Sequence, residues 1–325
     1  MRPFVYERPE DEAGALATMV RPNAAFLAGG TNLVDLMKLG VSAPDILVDV
    51  SGLPYRDVEE LPEGGLRVGA LVANSDLAAH SAVQAAYPAV SQALLAGASG
   101  QLRNRATVGG NLLQRTRCRY FQDVAKPCNK RAPGTGCAAR DGEHHDLAIL
   151  GASPQCIATN PSDLAVALSI MDASVHYAGP HGAAAVSVHD LFRRPGERPD
   201  RDTNLPRGAL ITAVVLPELP IAATSVYRKV RDRASFAFAA GSVAAAVEVR
   251  DGVVRDVRLA WGAVAHLPWR AWAAERALRG APATVDSFAR AADEELSAAR
   301  PLRDNAYKVP LLRNLTVEVL REMTS

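Results

Sequence analysis

Leu27-Ala28-Gly29-Gly30-Thr31-Asn32-Leu33 stands directly after the short apolar run Ala24 to Leu27 and before a helical segment ending near Leu39. Adjacent glycines let a backbone turn tightly and bring its N–H groups against a ligand, and Thr31 places a hydroxyl where an anion meets a helix N-terminus. That geometry suits a pyrophosphate, although an ordinary strand-to-helix turn with Thr31 as N-cap uses the same residues. Farther along, Gln101-Leu102-Arg103-Asn104-Arg105-Ala106-Thr107-Val108-Gly109-Gly110-Asn111-Leu112 repeats the paired glycines flanked by a hydroxyl and an amide. Neither stretch has the Gly-x-Gly-x-x-Gly spacing, so together they point to a dinucleotide held by the loops of a non-Rossmann fold. Pro161-Ser162-Asp163 then offers a carboxylate that accepts from ribose or ribityl hydroxyls.

Around the first loop the pattern alternates between helix and strand. Glu10 to Met19 reads helical, and Ala24 to Leu27 and Ile46 to Val50 read as buried strands, a small βαβ unit closed by Pro54 and the turn-like Glu59 to Gly65. A second unit from about Leu66 to Tyr177 opens with an Ala-rich helix over Asp76 to Leu95 and carries a long aperiodic stretch, Arg115 to Leu150. Strand patterns follow at Ala209 to Leu216, Ser235 to Val249 and Val253 to Val264. Helical spacing then takes over at Arg270 to Leu278, Val285 to Ala299 and Ala306 to Met323, an order that fits an α+β domain. The expected units are therefore residues 1–60, 61–178 and 183–325.

The chain has 325 residues, 48% of them hydrophobic, enough to bury two or three cores. With 36 Lys and Arg against 35 Asp and Glu, no global field selects nucleic acid or an anionic membrane. Met1 to Pro9 lacks the apolar region of a signal peptide, and the longest apolar run, Phe236 to Val247, is broken by Gly241 and Ser242 and falls short of a membrane span. No Ser/His/Asp arrangement or carboxylate pair has a hydrolytic signature, so no catalytic acid or base is assigned.

All four cysteines lie in the aperiodic stretch and its edge, at Cys118, Cys128, Cys137 and Cys156. Four thiolates complete the ligand set of one cubane iron-sulfur cluster or of a structural zinc, while disulfides or buried free thiols are the plainer readings. A segment this long without apolar periodicity needs some other source of order, and bound metal supplies it. His144 and His145 read as solvated, and Arg115, Arg117, Arg119, Lys126, Lys130 and Arg131 either offset a cluster's charge or form a solvated face.

The two glycine loops in this order, with Ser162-Asp163-Leu164 downstream, resemble the FAD-binding subunit or domain of the xanthine dehydrogenase and carbon monoxide dehydrogenase family. The resemblance implies a FAD-binding fold of the vanillyl-alcohol-oxidase type: two N-terminal α+β subdomains and a C-terminal α+β domain of three antiparallel strands plus helices. It implies that Leu27, Ala28, Gly29, Gly30, Thr31, Asn32 and Leu33 hold the pyrophosphate. Thr107, Gly109, Gly110 and Asn111 then lie along the cofactor, Asp163 binds its polar chain, and Leu113, Ile211 and Lys229 lie near the isoalloxazine. No aromatic residue for adenine stands out. The Cys-rich insert, residues 115–157, resembles that of a subgroup including periplasmic bacterial aldehyde oxidoreductases, which implies a [4Fe-4S] cluster on the four cysteines. The implied function is electron relay: FAD receives electrons from [2Fe-2S] clusters of a small partner subunit and passes them to an external acceptor. A molybdopterin-binding large subunit carrying the molybdenum cofactor oxidises the substrate, an aldehyde by this likeness. Periplasmic location by co-export with a partner is expected, with the cytoplasm as the alternative. A stand-alone flavin oxidase and a zinc-stabilised interaction module without redox activity are the rival readings.

Overall fold

The computed structural model describes residues 1–325. The first unit runs β1 (Val5–Glu7), α1 (Glu12–Met19), β2 (Ala24–Leu27), α2 (Leu33–Lys38) and β3 (Ile46–Asp49). Its strands form a parallel sheet in the order β1-β3-β2, with Ile46 opposite both Val5 and Ala24. Asp11 caps α1 by accepting from the Gly14 N–H at 2.8 Å. β3 is buried throughout, the continuous apolar run expected of a central parallel strand.

The second unit contains β4 (Val58–Glu60), β5 (Leu66–Gly69), α3 (Asn74–Ala79), α4 (Ser81–Ala86), α5 (Pro88–Ala96), α6 (Gly100–Arg103), α7 (Val108–Leu112), α8 (Arg119–Gln122), α9 (Asp163–Ile170), β6 (Ser174–Gly179), β7 (Gly182–Ser187), α10 (Val188–Leu191) and β8 (Leu210–Leu216). Instead of the single helix expected over Asp76 to Leu95 there are three. His80 turns extended between α3 and α4, and Pro88, which lacks an N–H and restrains the residue before it, starts a new helix at α5. The sheet order is β4-β5-β8-β6-β7. Thus β8, expected in a C-terminal unit beginning at 183, is the middle strand here. Its nearly continuous burial needs apolar layers on both faces, and this sheet provides them.

The last unit comprises β9 (Val226–Val230), β10 (Gly241–Arg250), β11 (Val253–Gly262), β12 (Trp269–Arg270), α11 (Trp272–Leu278), α12 (Val285–Leu296) and α13 (Lys308–Thr324). The sheet is antiparallel, but it has four strands, in the order β12-β11-β10-β9, because β9 and β12 take the place expected of β8. β10 begins at Gly241 rather than Ser235, since Phe236 has a left-handed φ of 52° that no strand accommodates. On α12, Phe288, Ala291, Ala292, Glu295 and Leu296 are buried, the i, i+3, i+4, i+7, i+8 stripe of a helix with one face against the core, where it packs on α11 and α13. Full burial of Phe288 contributes about 1.5–3 kcal/mol. No helix is long and apolar enough to cross a membrane.

Candidate dinucleotide site and cysteine cluster

The two glycine loops meet backbone to backbone. A β-carbon built on Gly29 falls 1.9 Å from the Arg105 carbonyl oxygen, so only glycine allows this contact, and Gly30 follows with φ of 76°. Parallel pairing of β2 with β3 aims the first loop, with the Val50 N–H donating to the Leu27 carbonyl at 2.9 Å. Thr107 caps α7 by accepting from the Gly110 N–H at 3.2 Å, and the Gly109 N–H donates to the Ala70 carbonyl at 2.8 Å.

Two cavities open on either side of this junction. One, of about 330 Å³, is bordered by Ala28, Gly29, Gly30, Thr31, Asn32, Leu33, Thr107, Gly109, Gly110, Leu113 and Ile211, with Phe26, Leu71 and Leu210 making it largely apolar. The other, of about 600 Å³, is bordered by Asn111, Asp163, Lys229, Arg117, Phe236 and Phe238. Both include Thr31, Asn32 and Gly110, so they form one bent trough with the paired loops at its waist. Such volumes are those of small-molecule sites. Leu27 borders neither cavity, and Ile211 and Lys229, expected beside the same ring, border different ones.

Polar groups along the trough carry charge and direction. The Asn32 side-chain carbonyl accepts from the Arg115 N–H at 2.9 Å, while its amide nitrogen is buried without a partner, a donor left for a ligand. Tyr227 and Lys229 are two apart on β9 and so share a face. The Tyr227 hydroxyl donates to one oxygen of Asp163, and the Lys229 ammonium donates to the other at 2.7 Å. Burial, with the Asp163 charge beside it, raises the Tyr227 phenol well above its ordinary pKa and keeps it a donor. Asp163 therefore serves first to anchor this pair. Ser162, which caps α9 by accepting from the Ala165 N–H at 3.0 Å, donates to the Asn111 side-chain carbonyl at 2.7 Å and ties α9 to the second loop.

Sequence reading missed Phe26 and Tyr227, and it quoted Ser162 without its role as a cap tied to Asn111. Phe26 is the aromatic side chain in the apolar cavity. Its signal was its place one residue before the glycine loop, obscured because it also reads as an ordinary strand residue. Tyr227 is separated from Asp163 by 64 positions, and no local pattern joins them.

Cys118, Cys128, Cys137 and Cys156 border one small enclosed cavity together with Phe121, Lys130 and Ala158. Cys128 and Cys137 face each other across an isolated antiparallel bridge, and none of the four is in a disulfide. Burial pushes the Cys118 thiol up to about 11 and the Cys156 thiol up to about 12, and raises Cys137 as well. Thiolates here require a compensating positive centre, which is what a metal supplies. Of the basic residues around them, Lys130 is buried and paired with Asp202, and Arg131 donates to the carbonyls of Tyr120 at 3.0 Å and Phe121 at 2.7 Å. His144, expected to be solvated, is buried and accepts from the Asp304 N–H at 3.1 Å; His145 is exposed and stacks on Tyr307. The insert joins the trough through α2: Asn32 and Leu33 border the apolar cavity, and Leu36, one turn on, packs among the cysteines.

A bipartite trough gripped at its waist by two glycine loops, with a second α+β domain closing one arm, defines a dinucleotide-binding flavoprotein of the non-Rossmann kind. Residues 2–219 match the FAD binding domain in molybdopterin dehydrogenase, and residues 225–323 match the CO dehydrogenase flavoprotein C-terminal domain. The chain belongs to the family of FAD-binding subunits of the xanthine and carbon monoxide dehydrogenases. It is 49% identical to the aldehyde oxidoreductase FAD-binding subunit PaoB of Escherichia coli K12, covering 99% of this chain and 98% of that one. It is 26% identical to the glyceraldehyde dehydrogenase medium chain of Sulfolobus acidocaldarius, covering 98% of each. The fold is shared with carbon monoxide dehydrogenase from Oligotropha carboxidovorans (TM-score 0.77, 21% identity, 100% and 99% of the two chains). It is shared as well with quinoline 2-oxidoreductase from Pseudomonas putida 86 (TM-score 0.76, 21% identity, 99% and 97%).

Proposed function

We propose that this chain is the electron-relaying FAD subunit of an aldehyde-oxidising molybdenum hydroxylase, and that it holds a [4Fe-4S] cluster of its own. The observation that carries the first part is the trough itself, whose waist is lined by Gly29, Gly30, Thr31 and Gly110, residues suited to a pyrophosphate. The apolar arm with Phe26, Leu210 and Ile211 takes adenine, which moves Leu113 and Ile211 from the isoalloxazine, where the family resemblance put them, to the adenine end. The wider arm, where Lys229, Asn111 and the Asp163 anchor offer polar contacts, takes the isoalloxazine. FAD, when bound, supplies the exchange between one- and two-electron steps; the protein orients it and sets its surroundings. The likeness to the aldehyde oxidoreductase subunit supports an aldehyde as the substrate of the assembled complex, oxidised at a molybdenum cofactor on a large partner subunit. Electrons then arrive through [2Fe-2S] clusters of a small subunit and leave to an external acceptor.

The cluster reading rests on four thiols facing one cavity inside a segment that does not order itself. A single zinc needs its donors at about 2.3 Å from one point. A cubane takes one thiolate on each of its four irons, so iron and sulfide analysis of the purified chain distinguishes it from zinc. Export to the periplasm alongside a partner completes the proposal, and cell fractionation tests it.

The decisive experiment is co-expression with the neighbouring molybdopterin and iron-sulfur chains. Addition of an aldehyde bleaches the flavin band of the complex and leaves that of the isolated chain unchanged. Aldehyde oxidation by the isolated chain overturns the division of labour.

A further inference from the structure

A fourth cavity, of about 230 Å³, lies between the insert and the dinucleotide trough, bordered by Gln114, Arg115, Lys130, Asn160, Asp202 and His266. His266 is only 8% exposed, and neither ring nitrogen has a hydrogen-bond partner. An unpartnered buried polar group costs about 1–3 kcal/mol, so a side chain kept in this state points to a missing ligand. Burial, with the positive charge of Lys130 nearby, pushes the imidazole down to about 3, and a neutral ring presents one N–H donor and one acceptor. The Lys130 ammonium donates to the Pro199 carbonyl at 2.8 Å and to Asp202, which leaves its third hydrogen for another acceptor. Arg115 pairs with the other oxygen of Asp202. One carboxylate thus answers two cations. Asp200, the other acid on this wall, is occupied by Arg198 through two hydrogen bonds of 2.9 and 2.7 Å.

We propose that this cavity binds a small oxyanion from solution, of the size of phosphate or sulfate, between His266, Lys130 and Arg115. Lys130 also borders the cysteine cavity and shares its charge with it, so recognition here rests on the Arg115 guanidinium, the third Lys130 hydrogen and the His266 N–H, unclaimed donors in a sheltered site. Leu113 and Arg115 border both this cavity and the apolar arm of the trough, so the ion sits directly behind the end of the second glycine loop.

The test uses the full chain loaded with FAD, titrated calorimetrically with sulfate and, in crystals, soaked with selenate so that anomalous scattering locates it. One saturable site is expected, with a selenate peak between His266 and Lys130. His266→Leu should weaken sulfate about tenfold while FAD and iron contents stay at the parent value, and His266→Asn, which restores a donor, should recover part of the loss. Absence of saturable binding, a peak elsewhere, or water alone in the cavity overturns the proposal, as does unchanged affinity in His266→Leu. Should His266→Leu not fold, the selenate position and His266→Asn decide.

Discussion

In the C-terminal domain, α12 packs between α11 and α13, and α13 packs on β10, holding their places by burying Phe288, Leu296, Leu312, Val319 and Leu320 in one core with the sheet. In the insert, residues 115–157, a smaller core of Phe121, Ala139, Leu147 and Ile157 around the cysteines is supplemented by side-chain hydrogen bonds, most of them to backbone. The Asn129 carbonyl accepts from the N–H groups of Gly134 at 3.1 Å and Gly136 at 2.8 Å, its amide donates to Gln155, Arg131 caps carbonyls, and the Tyr120 hydroxyl accepts from the Glu143 N–H at 2.6 Å. Each such bond is worth about 0.5–1.5 kcal/mol net, whereas apolar burial accumulates with area. One region rests on accumulated apolar area; on the cluster proposed above, the other gains the rest of its order from what its four thiols hold.

That contrast breaks most visibly at the cysteines. Cys156→Ser should reduce iron from about four atoms per chain to near zero and expose the insert to limited proteolysis, while the C-terminal domain keeps its protection. Iron retained at the parent level would remove Cys156 from the ligand set.

Next in size is Gly29→Ala, whose β-carbon meets the Arg105 carbonyl oxygen at 1.9 Å, with backbone on both sides. It should cost more than about 4 kcal/mol and yield apoprotein that unfolds early in urea. Gly110→Ala has only the Thr107 hydroxyl to displace, at 2.9 Å. It should stay within about 1.5 kcal/mol of the parent, yet bind FAD more weakly, as fluorescence titration would show. Equal stabilities in the two variants would contradict the backbone-to-backbone junction.

Phe288→Ala probes the apolar core of the C-terminal domain and should cost about 3–5 kcal/mol by chemical denaturation, with iron per folded chain unchanged. A loss of iron before global unfolding would show that the two regions are not energetically separate.

The smallest effect concerns Lys308, fully buried on α13, where it donates to the Ala263 carbonyl at 2.7 Å. Burial pushes its pKa down to about 8 from the ordinary 10.5. Between these values the unfolded chain binds the extra proton, so stability contributed by this site rises with pH from about 8 to about 10.5, by at most about 3 kcal/mol. Below pH 8 the unfavourable burial is fully present. Lys308→Met should remove that rise, measured as the pH dependence of the difference in melting temperature between the two proteins.

Much of the fold was legible wherever one short stretch carries its own signal. The paired glycines announced both loops, the strand pattern over Val253 to Val264 announced β11, and the helical spacing over Val285 to Ala299 announced α12. Partnerships between distant stretches were not legible. Nothing near Leu210 says that its strand pairs with β5 and β6 rather than β10, and nothing near Asp163 names Tyr227. The buried state of His144 depends on Asp304, which is 160 residues away. Fragmentation of the Ala-rich helix was readable at Pro88 but hidden at His80, where only tertiary packing forces the extended turn.

The central place of β8 has a consequence for the order in which the protein comes into being. Synthesis proceeds from the N-terminus, yet the five-stranded sheet lacks its middle strand until Leu216 has left the ribosome, after the whole insert. Until then β5 and β6 have no common neighbour, and the Ile211 wall of the apolar arm does not exist. Cofactor loading must therefore wait for about two-thirds of the chain. A nascent chain stalled short of residue 210 should hold no FAD, however complete its glycine loops.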